Sequence, residues 1–233
     1  MIEVKNLVKR FGMKTVLRSL DFHVAPGEFV ALLGPNGAGK TTFLRILASL
    51  SRPSQGVVTL AGFALPGQAA QVRQRLGVVS HQPLLYEDLT ALENLQFYGR
   101  MYAVPNLTGR IEAILAMVGL APRRNDLVRT FSRGMQQRLA IARAVLHDPQ
   151  IMLFDEPYTG LDQDASAMLD GVLKEVAARG RTVVMTSHDL ARAEDLATRF
   201  DILSRGVIAA SIRRSELGAE NLPDFYKKAL NAQ

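Results

Sequence analysis

The stretch Gly34-Pro35-Asn36-Gly37-Ala38-Gly39-Lys40-Thr41 decides the fold of this chain. It matches the pattern G-x-x-x-x-G-K-[ST] at every position. The apolar run Phe29–Leu33 precedes it and a helical pattern over residues 40–50 follows it, so the loop joins a strand to a helix. Glycines let the backbone curl until its N–H groups point inward, and the helix dipole adds positive charge there. This context favours a phosphate-binding loop over a chance glycine-rich turn.

The loop supplies the contacts that a nucleoside triphosphate needs. The Lys40 side chain is expected to reach the β- and γ-phosphates, and the Thr41 hydroxyl is expected to ligate Mg²⁺. The predicted cofactors are therefore ATP and Mg²⁺. The predicted nucleotide-binding residues of the loop are Gly34, Pro35, Asn36, Gly37, Ala38, Gly39, Lys40, Thr41 and Thr42.

A second apolar run, residues 151–154, ends in two adjacent acids, Asp155 and Glu156. Ligands of open α/β sheets bind at the carboxyl ends of the strands, where these acids should lie. Two adjacent carboxylates in an apolar setting repel each other, and a bound cation would offset that repulsion. Asp155 is therefore the predicted Mg²⁺ ligand, and Glu156 the predicted base that orients the attacking water, worth about 10²- to 10⁴-fold in rate. A helix cap or a solvated strand end would explain either acid alone, but not the pair.

Strands alternate with helices along the chain, which predicts an α/β fold with a mostly parallel, covered sheet. The first part has short strands and turns, and we expect it to form an antiparallel β part. A helical pattern at about residues 89–121, with breaks at Pro105 and Gly109 and with Gly119 near its end, indicates an insertion at about residues 87–140. No repeat or linker divides the chain, so residues 1–233 are expected to form a single domain.

Periodicity and capping residues predict the elements of the second half. Asp162 is expected to cap the start of a helix with an apolar stripe at helical spacing, and Gly180 its end. Arg205-Gly206 is expected to form the turn of a hairpin. The predicted elements are a helix at 136–146, a strand at 151–155, a helix at 163–179, a strand at 182–186, and hairpin strands at 201–204 and 207–210.

Composition is that of a globular protein, with 48% of residues hydrophobic and 21% charged. No apolar stretch approaches the roughly 18–20 residues that span a bilayer, and the N-terminus lacks the apolar core of a signal peptide, so we expect a cytosolic chain. The absence of cysteine excludes disulfides and thiolate metal sites. The net charge of +6 would suit nucleic acid, an anionic membrane or a mildly basic protein that binds a polyanion. Because the basic residues are scattered, we expect no nucleic-acid partner.

One more segment narrows the class of nucleotide-binding protein. It is Phe131-Ser132-Arg133-Gly134-Met135-Gln136-Gln137-Arg138, just upstream of the acidic strand. Here the chain resembles the ATP-binding cassette (ABC) family, over nearly its whole length, whose signature is typically leucine-serine-glycine-glycine-glutamine. Arg133 and Met135 depart from that pattern, while Ser132 and Gly134 keep it. A basic residue followed by Gly-Met is similar to the signatures of ABC-2-type and haem-exporter-like subunits, and this favours export.

The resemblance implies a head-to-tail dimer with a second ABC subunit, either an identical chain or a paralogue. Ser132, Arg133, Gly134 and Met135 would then contact the ATP bound to the partner chain. The residues agree with that implication. Ser132 and the backbone at the start of the following helix form an anion site, and no second phosphate in the same chain needs that site.

Four further residues take their roles from the resemblance. Phe11 matches the aromatic that stacks on adenine, with a core phenylalanine as the alternative. Gln82 matches the glutamine that senses Mg²⁺ and the nucleophilic water, and His188 matches the histidine at the γ-phosphate. Asp162 matches the loop between the two ATP sites, which is compatible with its helix cap. The run Ser187-His188-Asp189 is not expected to be a hydrolase triad, since adjacent residues at a strand end point in different directions.

The expected function is ATP hydrolysis that powers a separate transmembrane permease from the cytoplasmic face of the membrane. Leu84, Leu85 and Tyr86 either contact that permease or belong to the core. A soluble ABC ATPase in DNA maintenance or translation is one alternative, although this chain holds one cassette and lacks a long coiled-coil or metal-binding insertion. A P-loop small-molecule kinase is another, although it would leave the signature segment and His188 unexplained.

Overall fold

Ten β-strands form two sheets in residues 1–80, 82–218 and 221–231, the part of the chain that this computed structural model describes. The first sheet has the order β2-β1-β4-β5 and is antiparallel throughout, as predicted. In β2, Leu20, Phe22 and Val24 are buried while the residues between them are exposed, so one face of this sheet packs on the core. Its strands are β1 (Ile2–Phe11), β2 (Lys14–Val24), β4 (Gln55–Leu60) and β5 (Phe63–Leu65).

The second sheet is the mostly parallel one that the sequence predicts. Its strands are β3 (Phe29–Leu33), β6 (Leu76–Val79), β7 (Ile151–Asp155), β8 (Thr182–Thr186), β9 (Arg199–Ser204) and β10 (Val207–Arg213). Their order is β10-β9-β3-β8-β7-β6, and only the β9–β10 hairpin pairs antiparallel. Every residue of β3, β7 and β8 is buried. Burial on both faces explains why these strands are continuous apolar runs in the sequence.

Eight α-helices accompany the sheets in the described residues. Those outside the predicted insertion are α1 (Lys40–Leu47), α2 (Ala69–Arg73), α5 (Arg133–Val145), α6 (Gln163–Ala178), α7 (Leu190–Leu196) and α8 (Leu222–Asn231). The insertion contains α3 (Ala91–Met101) and α4 (Leu107–Met117) and continues to the start of α5. The sequence analysis did not predict α2, α7 or α8.

Three helix boundaries differ from the predictions, each for a local reason. Helix α1 ends at Leu47, where the chain turns through Ser49 with φ 59°. Helix α5 begins at Arg133, three residues earlier than predicted, because the Ser132 hydroxyl accepts a hydrogen bond from the Met135 N–H. Gly109 lies inside α4 and breaks no helix. The predicted caps of α6 are confirmed, since the Asp162 carboxylate accepts from the Ala165 N–H at 2.8 Å and Gly180 has φ 71°.

Alternate residues of the parallel strands face two hydrophobic clusters. Val30 and Leu32 of β3 pack with the antiparallel sheet and α1, while Ala31 and Leu33 pack with the other helices. Ile111 of α4 belongs to the same cluster as these last two side chains. The helical insertion therefore shares its core with the sheet, which fixes its position relative to the strand ends.

Candidate active site

A cleft of about 570 Å³ lies between the antiparallel sheet and the carboxyl ends of the parallel strands. Strands β3, β7 and β8 lie side by side in the order β3-β8-β7, so the segments that follow them meet at one edge. Residues 35–42 of the glycine-rich loop line the cleft, together with Phe11, residues 14–16, Arg18, Glu156 and Arg205. The volume is within the range of ordinary small-molecule sites.

The glycine-rich loop needs its glycines for close approach. A side chain at Gly34 would place its Cβ 2.1 Å from the Leu203 carbonyl oxygen, and Gly39 has φ 112°, a conformation that other residues rarely adopt. The Lys40 ammonium donates to the Gly34 carbonyl at 2.6 Å and to the Pro35 carbonyl at 3.2 Å. Lys40 thereby braces the loop from within, with its charge at the cleft.

Burial lowers the pKa of Lys40, while the nearby carboxylates of Glu156 and Asp155 oppose that shift. The ammonium lies 4.0 Å from the Glu156 carboxylate. An anionic ligand beside Lys40 would strengthen the same opposition, so phosphate binding favours the charged lysine.

The ends of β7 and β8 are tied together at Asp155. Its carboxylate is buried and accepts hydrogen bonds from the Thr41 hydroxyl at 3.2 Å and from the Thr186 hydroxyl at 2.8 Å. The same Thr186 oxygen accepts from the Glu156 N–H at 2.9 Å. Sequence reasoning missed Thr186, whose only signal is a hydroxyl at the carboxyl end of a buried strand. The structure thus brings together Thr41 and Asp155, two of the three residues predicted at the metal, the third being Gln82.

This pair of oxygens is suited to Mg²⁺, a hard cation that takes oxygen ligands and keeps several waters or substrate phosphates. Within the described residues, no group of three or more histidine, cysteine, aspartate or glutamate side chains could hold a metal ion. A Mg²⁺ that arrives with the nucleotide could take the Thr41 and Asp155 oxygens as ligands, with the phosphates supplying others.

Glu156 and His188 face each other across the edge of the sheet. The Glu156 carboxylate lies 3.7 Å from His188 Nδ1. Glu156 has φ 48°, in the left-handed region that costs a non-glycine residue about 1 kcal/mol or more, and such strain is concentrated at functional sites. The Ser187 hydroxyl bonds to the backbone of Asp189, and Asp189 caps α7, as expected for residues that form no hydrolase triad.

Phe11 lies at the mouth of the cleft, at the end of β1. Its side chain is 54% exposed, so the alternative that it is a core phenylalanine is wrong. The Lys9 ammonium lies 4.6 Å from the ring centroid, which leaves most of the ring surface open.

The signature segment lies outside the cleft of its own chain. Ser132 and Arg133 are exposed at the start of α5. The Arg133 guanidinium packs against Gly160, where a Cβ would come within 2.9 Å of it. The Gln137 amide donates to the Pro157 carbonyl at 3.0 Å. These contacts, which sequence reasoning did not find, join the signature helix to the loop between β7 and α6.

Asp162, Gln82 and His188 are not among the residues that line the cleft. Asp162 caps α6, as described above, at the end of the same loop. Gln82 is exposed beyond the end of β6, the edge strand next to β7, and is not among the residues that line the cleft. The role of Gln82 stays a prediction.

Comparison with known families decides the class to which this site belongs. The sequence model of the family described as ABC transporter matches residues 17–159. The chain belongs to the ABC transporter family. It is an ATP-binding, ATP-hydrolysing cassette. No helix in the described ranges of this ABC ATPase has the length and apolarity to cross a membrane.

Curated relatives of this ABC ATPase extend over most of its length. The Nod factor export ATP-binding protein I of Paraburkholderia xenovorans (strain LB400) is 40% identical over 231 residues, which are 96% of this chain and 76% of that protein. The linearmycin resistance ATP-binding protein LnrL of Bacillus subtilis (strain 168) is 34% identical over 219 residues, 93% of this chain and 70% of the relative. The ABC transporter ATP-binding protein NatA of the same strain is 39% identical over 215 residues, 89% of this chain and 87% of the relative.

Solved structures agree with the fold of this ABC ATPase. An ATP-binding subunit of an ABC transporter superposes with a TM-score of 0.91 at 31% identity, covering 99% of both chains. A dimeric ATP-binding cassette in a post-hydrolysis state, bound to ADP and phosphate, superposes with a TM-score of 0.84 at 29% identity, covering 92% of this chain and 99% of the other.

Proposed function

We propose that this ABC ATPase drives export through a separate membrane subunit, as a dimer that closes around two MgATP. The observation that carries the proposal is that the signature segment lies outside the cleft of its own chain. Ser132 and Arg133 are exposed at a helix start, where backbone N–H groups suit an anion, but the nucleotide of the same chain belongs between Phe11 and Lys40. A second ABC subunit, identical or paralogous, would bring its own γ-phosphate to Ser132 and Gly134.

Within each site, each residue has its own role in binding the nucleotide or in hydrolysis. Phe11 stacks on adenine, and the loop of residues 34–42 with Lys40 holds the phosphates. Thr41 and Asp155 would hold Mg²⁺, and Gln82 would sense it together with the attacking water. The cation would offset phosphate charge, while Glu156 orients the water and His188 contacts the γ-phosphate.

Hydrolysis then loosens the dimer, because the γ-phosphate is the group that touches both subunits. Only contacts that differ between the ATP and ADP states can shift the equilibrium between closed and open forms. The loop that contains Gly160 and Asp162 would report on the partner's site, since Arg133 and Gln137 of the signature helix contact it. We propose that residues 1–233 act as one domain in this cycle, since the insertion shares its core with the sheet.

An exposed apolar cluster supports contact with a protein partner. Leu84, Tyr86, Phe97 and Met101 are all exposed, and the Tyr86 and Phe97 rings pack edge to face with centroids 5.0 Å apart. Contiguous exposed apolar side chains are typical of interaction sites. Leu85 packs against the core, so the interpretation as a core residue holds for Leu85. We assign Leu84 and Tyr86 to the surface that receives the membrane subunit at the cytoplasmic face.

Export is the direction that the relatives and the signature favour. The names of two relatives describe Nod factor export and linearmycin resistance. Arg133-Gly134-Met135 resembles the signatures of exporter subunits. Both observations favour export.

The test uses tagged Glu156→Gln chain purified with MgATP from detergent-solubilised membranes. Loss of the base should lower hydrolysis by about 10²- to 10⁴-fold while ATP stays bound, which traps the closed dimer on its partner. A polytopic membrane protein recovered in stoichiometric amount, and only with MgATP, is the expected result by mass spectrometry. The additional change Tyr86→Asp should release that protein and leave ATP bound.

The matched control is Glu112→Gln, an exposed acid on α4 outside the nucleotide cleft. Its hydrolysis should equal that of the unmodified chain. Recovery of soluble proteins, ribosomes or DNA in place of a membrane protein, with ATP bound, would replace the transport proposal with a soluble ABC ATPase.

A further inference from the structure

One residue that lines the nucleotide cleft belongs to none of the nucleotide-binding motifs described above. Arg205, in the turn between β9 and β10, lines the cleft opposite the glycine-rich loop. It lies beyond residues 17–159, the part of the chain that the family model matches. Its position along the chain is therefore remote from the loop of residues 34–42, while its position in space is not.

The turn is built to hold Arg205 at this place. Arg205 and Gly206 have φ 46° and 85°, the conformation of a tight hairpin turn in which asparagine and glycine are the usual residues. An arginine there is strained, and residues keep such strain where the surroundings enforce it. The Gly206 carbonyl accepts from the Arg18 N–H at 2.9 Å, and a Cβ at Gly206 would lie 2.3 Å from the Val16 carbonyl oxygen. The turn is thus clamped on β2.

The contacts of this turn with Val16 also determine where Arg205 lies relative to the glycine-rich loop. Val16, against which the turn packs, also lies against Gly39, with its Cγ1 3.4 Å from the position of a Cβ there. Gly39 immediately precedes Lys40, the predicted phosphate-binding residue. Val16 thus connects the turn that holds Arg205 to the glycine-rich loop, so we place Arg205 near the phosphates of a bound nucleotide.

Charge in the cleft favours the same contact. The lining includes the cations Lys14, Arg18, Lys40 and Arg205, and Glu156 is its single carboxylate among the described residues. Lys40 lies at the γ-phosphate end and braces the loop carbonyls. A guanidinium forms paired hydrogen bonds with phosphate oxygens, and it is the side chain best suited to hold a diphosphate from the side.

We propose that Arg205 binds the α- and β-phosphates of the nucleotide, as a phosphate-binding residue that closes the cleft from the C-terminal hairpin. The inference rests on the proposed function, because it takes the cleft as the nucleotide site. The α- and β-phosphates are present in both ATP and ADP. Arg205 therefore contributes to nucleotide binding and does not distinguish the two nucleotides by the γ-phosphate.

The test is isothermal titration of ATP and of ADP into the full chain and its variants with Mg²⁺. Arg205→Gln removes the charge and should weaken both nucleotides by about 5- to 20-fold, the range expected for loss of a charge-assisted contact. Arg205→Lys keeps the charge without the paired N–H donors of the guanidinium, so it should lose less nucleotide affinity than Arg205→Gln. Arg213→Gln, at the other end of β10 and outside the cleft, is the matched control and should bind as the unmodified chain does.

Thermal unfolding of each variant checks that the hairpin still folds. Binding of ATP and ADP by Arg205→Gln within twofold of the unmodified chain would overturn the proposal, as would equal losses in Arg205→Gln, Arg205→Lys and Arg213→Gln. An unmodified chain that binds no ATP would instead contradict the proposed function, so the two failures are distinguishable.

Discussion

His147, just after α5, is a half-buried titratable residue outside the nucleotide cleft. Its ring stacks on Tyr102 with 3.9 Å between centroids and 7° between planes, and its Nε2 lies 3.2 Å from the Leu76 carbonyl oxygen. Burial lowers the pKa of His147 to about 4. The folded chain thus holds this imidazole neutral at pH values where an unfolded chain would protonate it.

We predict that His147 makes stability fall in mild acid. Between its unfolded pKa of 6.5 and its folded pKa of about 4, the unfolded state binds the extra proton, so the stabilisation is complete above this window and is lost as pH falls through it. From pH 7 to pH 5 the loss due to His147 should be about 2 kcal/mol. Urea unfolding at both pH values should show this loss of unfolding free energy in the unmodified chain and not in His147→Phe, which keeps an aromatic ring against Tyr102. Equal pH dependence in the two chains would contradict the prediction.

A site residue can be predicted from the sequence alone when it belongs to a contiguous motif. Gly34 to Thr41 and the pair Asp155-Glu156 are set by neighbours along the chain, so their patterns are visible without a structure. Thr186 and Arg205 reach the site from other strands, and only the strand order β3-β8-β7 and the turn clamped on β2 bring them there. No local pattern contains that information.

Helix α3 fixes the segment before it through one fully buried side chain, that of Asn94. The Asn94 amide accepts from the Tyr86 N–H at 2.9 Å and donates to the carbonyls of Tyr86 at 2.9 Å and Thr90 at 3.0 Å. The Tyr98 hydroxyl, one turn further along, donates to the Leu84 carbonyl at 2.6 Å. These hydrogen bonds hold the backbone of the exposed residues Leu84 and Tyr86 against α3.

We predict that Asn94→Ala detaches this segment from α3. The Tyr86 N–H loses its acceptor, and the Tyr86 and Thr90 carbonyls lose a donor. Because each lost hydrogen bond costs about 0.5–1.5 kcal/mol, the total loss should be about 1–3 kcal/mol. Urea unfolding should show that loss, and the Glu156→Gln chain with this change should retain less of the membrane protein. Arg100→Ala, on the same helix but exposed, should stay within about 0.5 kcal/mol of the unmodified chain. Matching stabilities of the two variants would argue against the anchoring role of Asn94.

Apolar patterning predicted the fully buried strands β3, β7 and β8 and the helix α6, because the burial of these elements follows their apolar residues. It placed the start of α5 too late, because Arg133, Gly134 and Met135 carry no apolar period and the Ser132 cap alone sets the boundary. It took Gly109 for a break, although packing outweighs the roughly 1 kcal/mol that glycine costs within a helix. Capping and tertiary packing, not periodicity, decide these boundaries.

The signature segment and the nucleotide cleft lie at different places in the molecule. Lys40, Thr41 and Glu156 line the cleft, while Ser132 and Gly134 are not among the residues that line it. The sequence predicted this division through the resemblance to the ABC family. The structure supports it by showing that α5 begins at the surface, with an exposed cap.

We predict that the Glu156→Gln chain dimerises with MgATP and that one added charge prevents it. Light scattering after size exclusion should show twice the 25.5 kDa of the monomer with MgATP, and the monomer without it. Ser132→Asp keeps a good helix cap but places a carboxylate where the partner's γ-phosphate should lie, so this variant should stay monomeric while binding ATP. Asn106→Asp adds the same charge at the cap of α4 and should dimerise normally. A dimer in Ser132→Asp would mean that the signature segment does not meet the partner's nucleotide.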